Sequence, residues 1–442
     1  MKAAGFMLLF RRSATLMLAR IIGSVLTLAA QVALARALGA EQLGVYVIGF
    51  SLAGVLSILC ASGYPSIAAR YTAEYRRDER PDILAGFIRA ARLHIGVIST
   101  VLLAISACIL FAVQRDMSDD MRMALLIGVA AAPAFALVRF HGAFANGVRR
   151  YYVSYLPDLV ARPALFLALL IAIVQLTDSA SGTLLLAVHI VLCALLAIVQ
   201  WILLRPVQTY GRRPAAFEWR RWTASSSPLI LVVIFGSFFG DLDILMLGLV
   251  LPAGDVAVFS VCLRITMLIA FGIQLVHQIV LPDLAEAHAG NDRASLERAI
   301  LNANRLNFWA ALAALLGLWA FGPILLSLFG EEFRIGQQAL VLLAAAQVIR
   351  AAAGPSTQLM IVGGEELRTL MVFGVSTLVL GALNLALVPV WGLEGAAWAV
   401  VLTTLLWTFW LGGLCRARLD YRCWVLPPLP LRHSARGWRQ DA

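Results

Sequence analysis

Apolar positions in this chain fall in long blocks rather than at the spacing of a surface helix or a half-buried strand. Continuous apolar stretches of roughly 20–28 residues alternate with short polar connections, and about 20 apolar residues is the length of helix that crosses a hydrocarbon core. A membrane barrel strand would instead alternate inward and outward residues over about ten positions. Lipid offers no partner to backbone N–H and C=O groups, so uninterrupted apolar runs of this length predict helices. The predicted spans are 13–35, 43–69, 85–113, 121–145, 152–176, 181–204, 225–250, 256–281, 301–328, 336–362, 369–390 and 395–415. The expected fold class is therefore an all-α integral membrane protein of about twelve transmembrane helices.

Composition agrees with that pattern. Of 442 residues, 61% are hydrophobic and only 14% charged, against about 45–50% and about 25% in soluble domains. The mean hydropathy is +0.86.

Charge then orients the spans. One set of connections and flanks carries Lys2, Arg11 and Arg12, then Arg70, Arg76, Arg77, Arg80, Arg89 and Arg92, then Arg139, Arg149 and Arg150. It continues with Arg205, Arg212, Arg213, Arg220 and Arg221, then Arg293, Arg298 and Arg305, then Arg368 and the arginines of the tail. The opposite set holds only Arg36, Arg115, Arg122 and Arg334, beside Asp116, Asp119, Asp120, Glu331 and Glu332. By the positive-inside rule both termini are expected in the cytoplasm of a bacterial inner membrane, which requires an even number of spans. The net charge of +10 is accounted for by these flanks, so no nucleic-acid partner is expected. Arg11 and Arg12 interrupt the apolar stretch after Lys2, which reads as the basic flank of a first span rather than a signal peptide.

Two similar halves are expected. Leu38-Gly39-Ala40-Glu41-Gln42-Leu43-Gly44-Val45-Tyr46 joins the first two spans, and Leu251-Pro252-Ala253-Gly254-Asp255-Val256-Ala257-Val258-Phe259 joins the seventh and eighth at the same relative place. Ala73-Glu74 is echoed by Ala285-Glu286, and Arg92-Leu93 by Arg305-Leu306. Each half starts inside and has six spans, so the repeat is parallel, about an axis along the membrane normal. The expected organisation is a six-helix half over 1–204, a basic cytoplasmic linker over 205–222 with Pro206 and Pro214, a second six-helix half over 223–415, and a basic, proline-containing tail over 416–442.

Several chemistries are absent. Lys2 is the only lysine, which removes a Walker A loop and Schiff-base catalysis. No HExxH or Cys/His cluster occurs, and Cys60, Cys108, Cys193, Cys262, Cys415 and Cys423 lack CxxC spacing. His94, His141, His189, His277, His288 and His433 are scattered, and each reads as a packing or rim residue. No cofactor, no metal and no enzymatic activity are expected.

The positive signal is charge inside the spans. Arg20, Arg162, Arg264 and Arg350 lie well within predicted helices, with Asp241 and Asp243 in the seventh span and Asp158 near the inner end of the fifth. Arginine stays protonated, and each one costs at least about 2.5–3.5 kcal/mol at a helix centre. These side chains are therefore expected to face a bundle interior or an aqueous cavity. They either pair with Asp158, Asp241 or Asp243 and only fix packing, or they form an anion site, since guanidinium forks suit phosphate. Asp243 is expected on the cavity-lining face, with Asp241 and Asp243 as candidate ion-coupling carboxylates. Gly236-Ser237-Phe238-Phe239-Gly240 gives a small face for close packing or bending, and Pro133, Pro163, Pro228 and Pro355 are candidate kinks.

The most specific string is Asn384-Leu385-Ala386-Leu387-Val388-Pro389-Val390-Trp391-Gly392-Leu393-Glu394-Gly395-Ala396-Ala397. It resembles the Asn…Pro-x-aromatic-Gly-x-x-Gly-Ala-Ala pattern of polysaccharide-export flippases, within the multidrug/oligosaccharidyl-lipid/polysaccharide exporter superfamily. Ala35-Arg36-Ala37-Leu38-Gly39 through Tyr46 is similar to that family's element after the first span. Asp243 through Gly248, then Phe259 and Arg264-Ile265, resembles its Asp-x-x-x-Leu-Gly…Tyr…Arg-Ile element, with Phe259 in place of the commoner Tyr.

The resemblance implies two six-helix bundles around a central cavity. It also implies movement of a polyprenyl-diphosphate-linked oligosaccharide between leaflets, for surface polysaccharide or lipopolysaccharide synthesis, with glycan polymerase or ligase machinery as possible partners. Arg20 and Arg264 match in type and placement the cavity arginines of related lipid-linked precursor flippases; Arg162 and Arg350 are added from depth alone. The alternative is a proton- or sodium-coupled multidrug or cation antiporter of the same superfamily, with Asp241 and Asp243 as the ion site. Buried arginines would repel its cationic substrate.

Overall fold

The computed structural model describes residues 2–112, 118–176, 180–208, 215–289, 293–419 and 424. The side chains of the first 17 residues, including Arg11 and Arg12, of 234–239 and of 275–300 lie outside that description, as do the centre of the linker and nearly all of the tail. Every element among the described residues is helical.

The first half comprises α1 (Lys2–Ala61), α2 (Tyr64–Arg77), α3 (Pro81–Ala112), α4 (Asp119–Gly147), α5 (Tyr151–Leu156), a π turn (Pro157–Ala161), α6 (Arg162–Leu176) and α7 (Gly182–Gln208). The second begins with α8 (Trp219–Ser237), a π turn (Phe238–Leu242) and α9 (Asp243–Leu247). It continues with α10 (Ala253–Ala289), α11 (Arg293–Ser327), α12 (Gln337–Ala352), α13 (Ser356–Val362) and α14 (Glu366–Leu414). Nine stretches among the described residues are long and apolar enough to cross a membrane. Two of them, α1 and α14, are each a pair of helices joined at a kink, at Gly39 (φ 68°) and Gly392 (φ 54°). With the rod 219–247 these make the twelve expected spans.

The kinks explain two of the sequence motifs. A positive φ is open to glycine without a Cβ clash, so Gly39 and Gly392 are where the chain turns between the two helices of each pair. Pro389 precedes the second reversal, and Ala396 and Ala397 behind it are fully buried.

Packing divides the interior by depth. One core joins the outer ends of both halves, with Leu34, Leu43, Val256, Phe259, Leu340 and Ala396 among its members. A second core at the inner end of the first half centres on Tyr64, Tyr71, Phe87, Phe140, Phe144 and Trp222. Outside these, Leu93, Val97, Val101, Ile105 and Ile109 form an exposed apolar stripe along α3 at every fourth residue. Residues four apart share a helix face, and in a bilayer that face meets lipid.

The start of α8 does not separate cleanly from the first half. Trp222 is buried and donates through Nε1 to the Tyr75 hydroxyl (2.8 Å), which donates in turn to Glu218 (3.0 Å). Arg221 bridges Glu74 (2.6 Å) and Glu218 (3.2 Å), and its guanidinium lies 5.1 Å over the Tyr71 ring. Burial pushes the Tyr75 hydroxyl up to about 12, so it remains a donor across the physiological range. This clamp ties the start of α8 to α2.

Candidate functional site

The two halves meet at the end of the bundle that carries the sparse arginines and the acidic loops, expected to face outward. There Arg36 donates through Nε to the Leu328 carbonyl (2.6 Å), and the Ala40 N–H donates to Glu332 (2.7 Å). The Gly254 N–H donates to Glu41 (3.2 Å) across the same junction, while within the first half the Gly182 N–H donates to the Gln42 side chain (2.9 Å). Gly44 lies so close to Ala253 that a Cβ on it would overlap the Ala253 carbonyl oxygen. The family-like string from Arg36 to Tyr46 thus forms a seal between the halves at this end.

Among the described residues, two chambers are lined from both halves and a third is lined by the second half. The inner one, about 490 Å³, is walled by Arg20 and Ser24 of α1, Arg139 and Asn146 of α4, Asp158, and Gln274 of α10. These positions lie towards the inner ends of their helices, so this chamber is a mouth between the first and eighth spans. The largest, about 740 Å³, lies mainly in the second half and is lined by Asp241, Arg264, Gln347, Arg350, Gln358 and Trp407, among others. The third, about 100 Å³, sits directly beneath the seal and includes Gln31, Tyr46, Arg162, His189, Ser260 and Arg264 in its wall.

All four predicted arginines therefore reach a chamber. The Arg20 guanidinium lies 6.0 Å over the Tyr155 ring. Arg162 pairs with Asp158 across one turn (3.2 Å), at the π turn that Pro157 opens and Pro163 follows. Arg264 lines both the large and the small chamber. Arg264 and Arg350 have no carboxylate within ion-pair distance among the described residues. The arginines that line these chambers come from both halves, and among the described residues Arg162–Asp158 is the one ion pair formed by the four predicted arginines.

The aspartates part company. Asp241 lines the large chamber, packs beside Gly54 and accepts a long hydrogen bond from the Ser51 hydroxyl (3.4 Å). Asp243, expected on the cavity face, is fully buried instead, and its Oδ1 accepts from the Asn384 amide (2.6 Å) while its Oδ2 has no partner among the described residues. The reason is helical geometry. At about 100° per residue, positions two apart point to nearly opposite sides, so one of the pair must face α14 when the other faces the chamber. Asp241 lies in the π turn 238–242, a backbone feature frequent at functional sites, and Asp243 directly follows it.

Three participants escaped the sequence reading. Its sequence position reads as an inner flank, yet Arg139 sits two turns inside the end of α4 and lines the chamber beside Arg20. Its place within an apolar run was the available signal. Tyr46 and His189 form a buried hydrogen-bonded pair (2.7 Å) on the wall of the small chamber. A lone histidine in an apolar helix carries no mark in sequence that separates this from packing.

Comparisons place this geometry among known proteins. The family model described as "Polysaccharide biosynthesis protein" matches residues 9–288. A curated relative, "Probable low-salt glycan biosynthesis flippase Agl15" of Haloferax volcanii, is 22% identical over 242 residues. That alignment covers 53% of this chain and 50% of the relative, so the chain spans about half the length of the curated protein it matches. An inward-facing multidrug resistance MATE family transporter of the MOP superfamily superposes with a TM-score of 0.75 at 17% identity, covering 91% of this chain and 98% of its own. Lipid II flippase MurJ in an inward closed conformation gives 0.68 at 14% identity, covering 91% and 87%. At these identities the two structures establish the fold: two six-helix bundles of the twelve-helix exporter type.

Proposed function

Because the chain belongs to the polysaccharide biosynthesis protein family, we propose that it is a flippase carrying a polyprenyl-diphosphate-linked oligosaccharide from the inner to the outer leaflet. The observation that carries this reading is that Arg20, Arg139, Arg162, Arg264 and Arg350 all line chambers at the junction of the halves or beside it in the second half, with Arg264 shared by two of them. A diphosphate supplies the negative charge that offsets buried guanidinium, and forks bind its oxygens bidentately. The large chamber, with Trp407 and the Gln347 and Gln358 amides, offers the stacking and hydrogen-bonding surface a glycan needs. The lipid tail would ride outside, along apolar faces such as the α3 stripe. In this reading both termini are cytoplasmic, the membrane is a bacterial inner membrane, the halves are divided at 205–222, and glycan polymerase or ligase machinery receives the product.

The test is reconstitution. In proteoliposomes containing a polyprenyl diphosphate oligosaccharide, the chain should accelerate exposure of the glycan to an impermeant glycosidase well above protein-free vesicles. Proton- or sodium-driven extrusion of a cationic dye, with no effect on the lipid, would install the antiporter in its place.

Asp243 is the proposed coupling carboxylate, with Asp241 at the chamber wall. A fully buried carboxylate with one unpartnered oxygen, inside an apolar span, is costly unless a cation or proton visits it. Asp243→Asn keeps an oxygen for the Asn384 amide, so folded protein should reach the membrane at near wild-type abundance. Transport should fall by about tenfold, within the usual range of a site-to-site coupling energy. Wild-type rate in Asp243→Asn would remove the coupling role; loss of folded protein would make the residue structural.

A further inference from the structure

The smallest chamber is the one whose walls packing explains least. Its volume, about 100 Å³, is below the ~150 Å³ that accommodates a benzene-sized ring, so a sugar ring does not fit and a phosphoryl group does. Tyr46 and His189 are 6% and 8% exposed, and the Tyr46 oxygen lies 2.7 Å from His189 Nδ1. Phe166 (4.5 Å between ring centroids) and Phe50 (5.0 Å) hold the imidazole in place. A phenol donates more readily than a neutral imidazole N–H, and an imidazole nitrogen accepts more readily than a phenol oxygen. The Tyr46 hydroxyl therefore donates to Nδ1, and the ring's own N–H sits on Nε2. That Nε2 has no hydrogen-bond partner among the described residues, and an unmet buried donor is destabilising. Beside it in the wall stand the Arg162 and Arg264 guanidinium groups.

We propose that this chamber is a second anion subsite, which receives one phosphoryl group of the substrate after it leaves the Arg20 mouth, with the His189 Nε2–H and the Arg162 and Arg264 forks as its donors. The assignment rests on the diphosphate-linked reading above. Tyr46 acts as a positioning residue that fixes the tautomer. A phosphoryl group there competes with Asp158 for Arg162. It also touches both halves, through α1, α6 and α7 on one side and α10 on the other, directly beneath the Gly44–Ala253 contact. Occupancy of this subsite is then what the outer seal senses, because only a ligand with differential contacts in the two states shifts their balance.

The experiment uses the full chain in nanodiscs, ¹⁵N-labelled at histidine, titrated separately with inorganic phosphate, pyrophosphate and farnesyl diphosphate. The His189 signals are assigned by their loss in His189→Phe. The expected result is an Nε2–H tautomer whose resonance moves on adding pyrophosphate or farnesyl diphosphate. Affinity should fall about tenfold in His189→Phe and less in His189→Gln, which keeps an N–H donor. Tyr46→Phe should mix the two tautomers in the unliganded spectrum, which a merely space-filling tyrosine would not do. A His189 signal that stays still at saturating pyrophosphate, or wild-type affinity in folded His189→Phe, overturns the subsite while leaving the flippase reading in place. Failure of farnesyl diphosphate to bind the wild-type chain overturns the flippase reading itself. A response to inorganic phosphate as strong as to farnesyl diphosphate reassigns the pocket to free phosphate and overturns its role as a station for the lipid-linked substrate.

Discussion

Arg264→Ala is expected to abolish surface-glycan export in a strain lacking the native gene, while the variant still inserts at near wild-type abundance. Arg264 is the one predicted arginine that faces two chambers, so its loss removes a donor from both the large chamber and the pocket under the seal. A hydrogen bond to a charged group is worth about 1.5–3 kcal/mol, which corresponds to about 10- to 150-fold in transport at one station and more across two. Arg20→Ala acts at the mouth alone and should fall at the lower end of that range. Lysine preserves charge but not the fork, so Arg264→Lys and Arg20→Lys should retain partial export. Insertion should survive because one residue is a small part of a twelve-span hydropathy signal. The readout is exported glycan normalised to membrane abundance. Full export by both alanine variants would take these arginines out of the mechanism and leave the antiporter as the better account.

Gly44→Ala is expected to break the outer seal. The Gly44 Cα sits against the Ala253 carbonyl, with no room for a methyl group between the two helices. Neither partner can yield locally, since the obstacle is backbone on both sides, so relief requires the halves to separate at this end. The seal's remaining contacts, Arg36 to Leu328, Ala40 to Glu332 and Gly254 to Glu41, all cross the same interface and would open together. Cysteine placed at Gln31, in the pocket wall, should then react several-fold faster with an impermeant maleimide added outside, and export should fall because the chain no longer closes. A few kcal/mol suffices to move a two-state equilibrium from one side to the other. Unchanged labelling and unchanged export in Gly44→Ala would mean that this contact does not govern closure. The opposite change, Ala253→Gly, should leave both quantities near wild type, since it adds no volume to the interface.

The clamp at the start of α8 bears on the same motion. Glu218, Arg221 and Trp222 hold the start of α8 to α2 of the first half, so the seventh span is anchored at its inner end to the opposite half. Movement between the halves must then be absorbed further along this span. The π turn 238–242 beside Asp241 is the irregular stretch available there. A coupling carboxylate next to such a turn is placed where ion occupancy can influence the bend.

The sequence by itself determined the spans, their number and the charge asymmetry, because hydropathy over about 20 residues is a local property that no tertiary contact has to supply. It also located the outer turns: Gly39 and Gly392 are legible as reversals from their neighbours in the string, and the structure gives both a positive φ. It identified Arg20, Arg162, Arg264 and Arg350 as costly charges that must face the interior, a conclusion that needs only depth. What depth cannot supply is azimuth. Whether Asp241 or Asp243 faces the chamber depends on how the helix is rotated, and the packing of Asn384 against Asp243 decided it. Arg139 was hidden by the reverse error: a basic residue near a span's end looks like a flank until its face is known. The Tyr46–His189 pair joins residues 143 apart, and the sharing of Arg264 between two chambers depends on how two bundles meet. Those are properties of the assembled interface, formed by side chains from several helices, and only the tertiary structure brings them together.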